Sequence, residues 1–323
     1  MMNNSLSVNV GRNSAHPPIL EYDGSFPGFL CAVAELIGNV RHHSFMGGSS
    51  GCMPDAGPSV VSREKPCELF EERWAVLRDD MRARRLWGRF RRLLGPMRSR
   101  IIIECFNSDR LGADKALSSL LVRTISFGIH VFDDLASRDA SEVEKAATRT
   151  RRELELMLGL TRFSELADDG RGEGLLYACI RPSCNLLDLM GDHFNKRFPG
   201  LRWIIHDGMR HSALMHEPYA PCWMVTGFQI EPDYSPAIER KGDDGDYSAH
   251  DVGAYPPLSA HEGEIRSIWR LYFHKIAIRE RTNPRLQNSK IPAKYRTEMT
   301  EFGTVLLPDR KLEVESLDSM IDG

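Results

Sequence analysis

Gly174-Leu175-Leu176-Tyr177-Ala178-Cys179-Ile180 and, further along, Arg202-Trp203-Ile204-Ile205-His206 are short apolar runs closed off by turn signals such as Pro182, Pro199-Gly200 and Asp207-Gly208. Runs of that length, bounded in that way, read as strands. Between them Leu186, Leu187, Met190 and Phe194 recur at helical spacing, so 186–198 predicts a helix. A third strand is expected from His211 to His216, hairpin-paired across Asp207-Gly208-Met209-Arg210. The order strand, helix, strand, strand, with helices on both sides in sequence, predicts an α+β fold, mainly helical with a small antiparallel or mixed sheet in the middle of the chain.

Working outward, Ile19 to Gly24 reads as a short strand or turn that leads through Asp23-Gly24-Ser25, good cap chemistry, into a helix from Phe26 to Ile37. Residues 41–66 collect Gly, Ser, Pro and His and read as a mobile insertion. Leu69 to Leu94 is helix-compatible and is expected to stop at Gly95-Pro96. Ala113 to Phe127 carries an apolar stripe at Ala116, Leu117, Leu120, Leu121 and Ile125. Ser141 with Glu144 forms a capping box for a helix to about Leu158, stopped by Gly159. Residues 231–261 read as a second mobile insertion, followed by a helix from about Glu262 to Arg281 that buries Ile265, Ile268, Trp269, Tyr272 and Ile276. The organisation expected is therefore a flexible start (1–18), a single α+β domain (19–302) and an acidic tail (303–323).

The chain has 323 residues, 41% of them hydrophobic and 27% charged, the proportions of an ordinary globular protein. It has no apolar run long enough to span a bilayer, and Met1 to Val10 does not look like a secretory signal, so no membrane role and a cytoplasmic location are expected. Its seven cysteines (31, 52, 67, 105, 179, 184 and 222) include no C-x-x-C pair, and read as reduced thiols, several of them buried, rather than as ligands of an iron–sulfur cluster. Net charge is only −3, but it is unevenly spread. From Arg82 to Arg100 there are eight arginines and no acid, and from Arg266 to Arg296 nine Lys or Arg against the single acid Glu280. The compensating acids fall on helix faces (Glu153, Glu155), in Asp243-Asp244-Gly245-Asp246, and between Glu313 and Asp322.

Four blocks, in order, carry a resemblance: Leu20-Glu21-Tyr22-Asp23-Gly24-Ser25-Phe26-Pro27-Gly28-Phe29-Leu30; Gly159-Leu160-Thr161-Arg162-Phe163-Ser164-Glu165-Leu166; Trp203-Ile204-Ile205-His206-Asp207; and Trp269 to Pro292, with Arg279-Glu280-Arg281-Thr282-Asn283-Pro284-Arg285-Leu286-Gln287, followed by Ala293-Lys294-Tyr295-Arg296. Together, over residues 20–302, they resemble a bacterial family of unknown function (DUF4130). The resemblance implies a role in DNA metabolism or DNA repair and genes that accompany a radical SAM protein. In some members it also implies fusion to a uracil-DNA glycosylase-like domain, which is not expected here because the sequence ends soon after the last block. The sequence departs from the family pattern at 41–66 and in the arginine run at 82–100.

Two constellations could carry chemistry. In the C-terminal block, Arg266, Arg270, Arg279, Arg281, Asn283, Arg285, Gln287, Lys294 and Tyr295 are candidates for a nucleic-acid surface, because Lys and Arg neutralise phosphates, amides read base edges and aromatic faces stack unpaired bases. Against this stands a solvated basic face beside core aromatics (Trp269, Tyr272, Phe273). The second is His206-Asp207 at a strand end, with His193, His211, His216 and Asp192 nearby in sequence, a candidate acid/base or ligand set whose bland counterpart is a structural histidine. The spacings match no metal motif, Gly47-Gly48 is not a P-loop, and Gly24 to Gly28 is not a nucleophile elbow, so no cofactor is expected. The functional expectations are a DNA-binding accessory to a radical SAM enzyme, a DNA-processing enzyme using His206 and Asp207, or a protein-docking module that binds no DNA.

Overall fold

A computed structural model describes residues 19–45, 59–63, 72–167, 174–229, 258–276 and 284–300. Its mixture of helices with small sheets is the α+β class that the strand and helix signals foretold. The chain divides into two compact units, residues 1–153 with 183–185, and residues 154–182 with 186–323.

In the first unit, β1 (Ile19–Tyr22) is the centre of a three-stranded parallel sheet between β2 (Val60–Ser62) and β3 (Arg73–Ala75). The alternation of β1 turns Leu20 and Tyr22 inward. The Asp23 carboxylate then accepts hydrogen bonds from the Ser25 amide (3.0 Å) and hydroxyl (2.6 Å), and Ser25 Oγ accepts from the Gly28 amide (3.1 Å), which starts α1 (Phe26–Phe45). Phe26, Phe29, Tyr22 and Phe106 form an aromatic cluster with centroids 5.1–6.4 Å apart.

Two expectations need correction here. Within 41–66, read as loop throughout, helix α1 continues to Phe45 and the β-branched pair Val60-Val61 makes β2 with Val60 buried. The expected helix over 69–94 starts only at α2 (Asp80–Phe106), where the Asp79 carboxylate caps the Arg82 amide at 3.0 Å, and Arg73 to Ala75 is strand instead. Gly95 and Pro96 bend α2 rather than end it. Gly95 leaves helical space at φ 73° and ψ 178°, which glycine alone adopts cheaply, and Pro96, lacking the amide that a new first turn would orphan, restarts the helix.

Helices α3 (Ala113–Phe127), α4 (His130–Asp133) and α5 (Arg138–Leu160) follow. α3 has the bounds that its apolar stripe predicts. α5 begins ahead of the Ser141 box and runs through Gly159. Apolar side chains of α1, α2 and α3 fill the core, among them Phe29, Leu30, Phe90, Leu117 and Leu120. Three carboxylates go inside with them, those of Asp114, Glu104 and Glu153. Glu104, 1% exposed, is forked by Arg151 (2.6 Å at its closest) and met by Arg100 (2.7 Å). Glu153, one of the compensating acids placed on a helix face, is buried and accepts the Ser183 and Cys184 amides at 2.9 and 2.8 Å. The Cys184 thiol beside it is pushed up to about 11, first by burial and then by Glu153.

The second unit is built on a five-stranded mixed sheet in the order β4 (Ser164–Glu165), β5 (Leu175–Ile180), β6 (Arg202–Asp207), β7 (Ser212–His216), β8 (Trp223–Thr226). β5 and β6 are parallel, joined by the crossover helix α6 (Leu187–Arg197), and the other pairings are antiparallel. The two short apolar runs, the helix between them and the hairpin all stand where the sequence put them, whereas the short edge strands β4 and β8 were not foreseen. On the face shared by Trp203, Ile205 and Leu214, Trp203 meets Phe163 and Phe194 edge-on, and Gly191 lets α6 close on Leu214.

Helix α7 (Ala260–Ile276), α8 (Pro284–Lys290) and a 3-10 helix (Ala293–Glu298) complete the described chain. Here the expected burial fails in part. Ile265, Ile268 and Trp269 on α7 are exposed, Ile268 by 66% and Trp269 by 42%, although the apolar spacing that argued for an inward stripe is present. Along the same part of the helix the Glu262 carboxylate accepts the Glu165 amide and pairs with Arg266, and Arg266 reaches the Ser164 hydroxyl, so polar contacts join the start of α7 to β4.

Candidate functional site

His206 and Asp207 end β6, and because successive residues of a strand point to opposite faces, they diverge. His206 shares its face with Tyr177 and Cys179, Cys179 being its partner in the parallel register. The ring is 8% exposed. Its Nδ1 lies 2.8 Å from the Tyr177 hydroxyl, a bond either tautomer can make, and Phe228 closes over it edge-on at 5.0 Å. Nε2 is buried with no hydrogen-bond partner among the described residues. Burial, with smaller contributions from the charges of His211 and Arg181, lowers the imidazole from 6.5 to about 4, so the ring is neutral at neutral pH.

Asp207, fully buried, belongs to the hairpin turn. Its carboxylate accepts the Met209 and Arg210 amides at 2.9 and 3.3 Å and pairs with the Arg210 guanidinium at 2.9 Å, while Arg210 also donates to the Pro182 carbonyl at 3.1 Å. Burial raises the carboxyl, and Arg210 and the two amides oppose that rise without cancelling it. Such an arrangement holds a turn. It does not orient His206, whose partner is Tyr177, a residue that the sequence could not single out before the parallel pairing of β5 with β6 was known.

The neighbouring histidines do not converge on His206. His216 donates from Nδ1 to the Leu201 carbonyl (2.9 Å) and stacks flat on Trp203, on the opposite face of the sheet. His193 stands on α6 against Phe194, the exposed Asp192 beside it, and His211 is exposed in the turn with φ 49°. No set of three His, Cys, Asp or Glu among the described residues is placed to hold a metal ion. Cys31, Cys105, Cys179, Cys184 and Cys222 are free thiols, and Cys52 and Cys67 lie outside the described residues.

The comparison with known families turns on the region from α3 onward: the profile of Domain of unknown function (DUF4130) matches residues 112–301. The chain belongs to the DUF4130 family. No curated protein and no solved structure matches it. The DUF4130 match takes in the blocks at 159–166, 203–207 and 269–296, and leaves out β1, α1 and the arginine run on α2. Among the described residues no helix is long and apolar enough to cross a membrane.

Within the C-terminal block of this DUF4130 chain, the candidate residues divide. Arg266 is engaged with Glu262 and Ser164. Arg285 and Lys294 are exposed, as is Lys290, and Gln287 is half-buried on α8. Tyr295 is buried, and the Lys294 ammonium lies 4.4 Å from the centre of its ring, so that face is covered by the chain's own cation. Arg296 donates to the Ile291 carbonyl (3.1 Å) and to Asn288 (2.5 Å). Arg270 stands on α7, its side chain outside what is described, and Arg279, Arg281 and Asn283 lie outside the described residues.

Proposed function

We propose that this DUF4130 protein is a DNA-binding accessory in DNA repair or DNA metabolism that serves a radical SAM enzyme and holds DNA through its C-terminal basic block. The observation that carries the reading is the presentation of Arg285, Lys290 and Lys294 at the surface of a segment, 281–297, that contains no acid. Cations so placed neutralise backbone phosphates and release their counterions, which supplies most of the affinity of a protein for nucleic acid.

The test is DNA affinity against salt, for single strands and duplexes, with wild type beside the Arg285→Ala/Lys290→Ala/Lys294→Ala variant. Three lost phosphate contacts flatten the slope of log K against log salt by about 2.7 on duplex DNA. An unchanged slope overturns the assignment of this surface, and failure to co-purify with a radical SAM protein overturns the accessory role. A second reading, a DNA-processing enzyme, is favoured by one observation, the Nε2 of His206, buried with no hydrogen-bond partner among the described residues. It requires that His206→Gln abolish turnover while DNA binding persists.

A further inference from the structure

Helix α2 ties some of its arginines into salt bridges, while others form none among the described residues, Arg84 acting on Asp80 only at longer range. Arg82 meets Glu35 (2.5 Å), Arg98 forks onto Asp133 (2.6 Å) and Arg100 meets Glu104 (2.7 Å). Between these, Arg84, Arg85, Arg89, Arg91 and Arg92 are exposed, and none has a carboxylate in salt-bridge reach among the described residues. At about 100° per residue, Arg84 and Arg91 form one row, Arg85 and Arg92 a second, and Arg89 lies just beyond the second. The five cover an arc of roughly 160° and about 12 Å of helix axis. That is one positive charge per 2 to 3 Å, on the order of the one negative charge per ~1.7 Å that duplex DNA presents.

Gly88 lies in the middle of the arc, with open space where a side chain would stand, so the helix backbone itself can come close to a partner there. The face offers no aromatic ring for stacking: Trp87 is turned inward, edge-on to Phe26 at 5.2 Å. We infer that this half of α2 is a second nucleic-acid surface, one that grips the phosphate backbone of duplex DNA without reading its sequence. Two rows of guanidinium groups on either side of a bare strip suit the two phosphate lines that border a groove, whereas a single strand would call for one row and stacking rings. The surface lies outside the DUF4130 match and shares no residue with the C-terminal block, so it stands or falls separately from the reading above.

The experiment measures affinity for a short duplex from 50 to 200 mM KCl with wild type, Arg85→Ala/Arg89→Ala/Arg92→Ala, the matching triple lysine variant, and the C-terminal Arg285/Lys290/Lys294 variant. All three α2 positions are exposed, and unchanged circular dichroism and melting confirm that the variants fold. The α2 alanine variant is expected to show a slope shallower by about 2.7, so that over this range wild type loses about forty-fold more affinity than the variant, and lysine restores the slope. An α2 variant with the wild-type slope overturns the inference, and if the C-terminal variant alone is flattened the earlier reading survives it. Flattening in the α2 variant alone leaves this surface standing and removes the other. If wild type binds no duplex at 50 mM, this inference is wrong, while the earlier reading is still decided by its single-strand measurement.

Discussion

Acidification from pH 7 to pH 5 should weaken the second unit through one ring, His206, and His206→Gln should remove that loss. Burial places the folded imidazole at about 4, against 6.5 when it is free in water, so between those values the unfolded chain holds the proton and the folded chain does not. Stability from this group is therefore complete above about pH 6.5 and falls as the pH drops toward 4. The difference of 2.5 pH units corresponds to roughly 3.4 kcal/mol in full, and to about 2 kcal/mol by pH 5. Because the ring is almost fully enclosed, solvent screening takes little from that figure. Glutamine keeps an amide within reach of the Tyr177 hydroxyl but cannot titrate. The assay is urea unfolding of both proteins at the two pH values, the difference of differences cancelling the carboxylates, Asp207 included, that titrate in both. Less than about 0.5 kcal/mol in that quantity would refute the reasoning.

Arg151→Ala leaves the Glu104 carboxylate inside with only Arg100 to meet it, and should cost about 2–3 kcal/mol in urea unfolding, most of it recovered when Glu104 and Arg151 are both replaced by methionine. Asp207→Ala removes the acceptor for two amides and the Arg210 guanidinium and should cost about 3 kcal/mol, whereas Asp207→Asn, which still accepts from the Met209 amide, should cost about 1 kcal/mol. Since burial raises the Asp207 carboxyl, its ionisation weakens the fold as the pH climbs through the carboxylate range, and the asparagine variant should lose that part of the acid profile in a pH-dependent melting series. Gly28→Ala drives a methyl group into the Asp23 carboxylate that starts α1, and thermal melting should show a loss of about 1–2 kcal/mol.

The elements legible in the sequence were those whose pattern is local. The runs at 175–180 and 202–207, the stripe at 113–127 and the Asp207 to Arg210 turn each carry their own period or turn chemistry, and each formed where it was expected. What escaped depends on residues far apart in the chain. β2 and β3 are three residues each and exist because β1 lies between them, Glu153 is buried because it caps the amides of Ser183 and Cys184, and Glu262 and Arg266 of α7 find their partners on β4, about a hundred residues away in sequence. The same division runs through the site: the sequence could name His206, but Tyr177, 29 positions earlier, became its neighbour only through the parallel register.

That register has a kinetic consequence. β6, β7 and β8 are joined by short links and can zip together in the order in which the chain supplies them, each pairing closing a loop of a few residues. β5 must instead wait for the whole of α6 to form and cross the sheet before Leu175 meets Arg202. In the refolding of the second unit the antiparallel ribbon should be protected from amide exchange first, and Tyr177 should reach His206 only when β5 arrives.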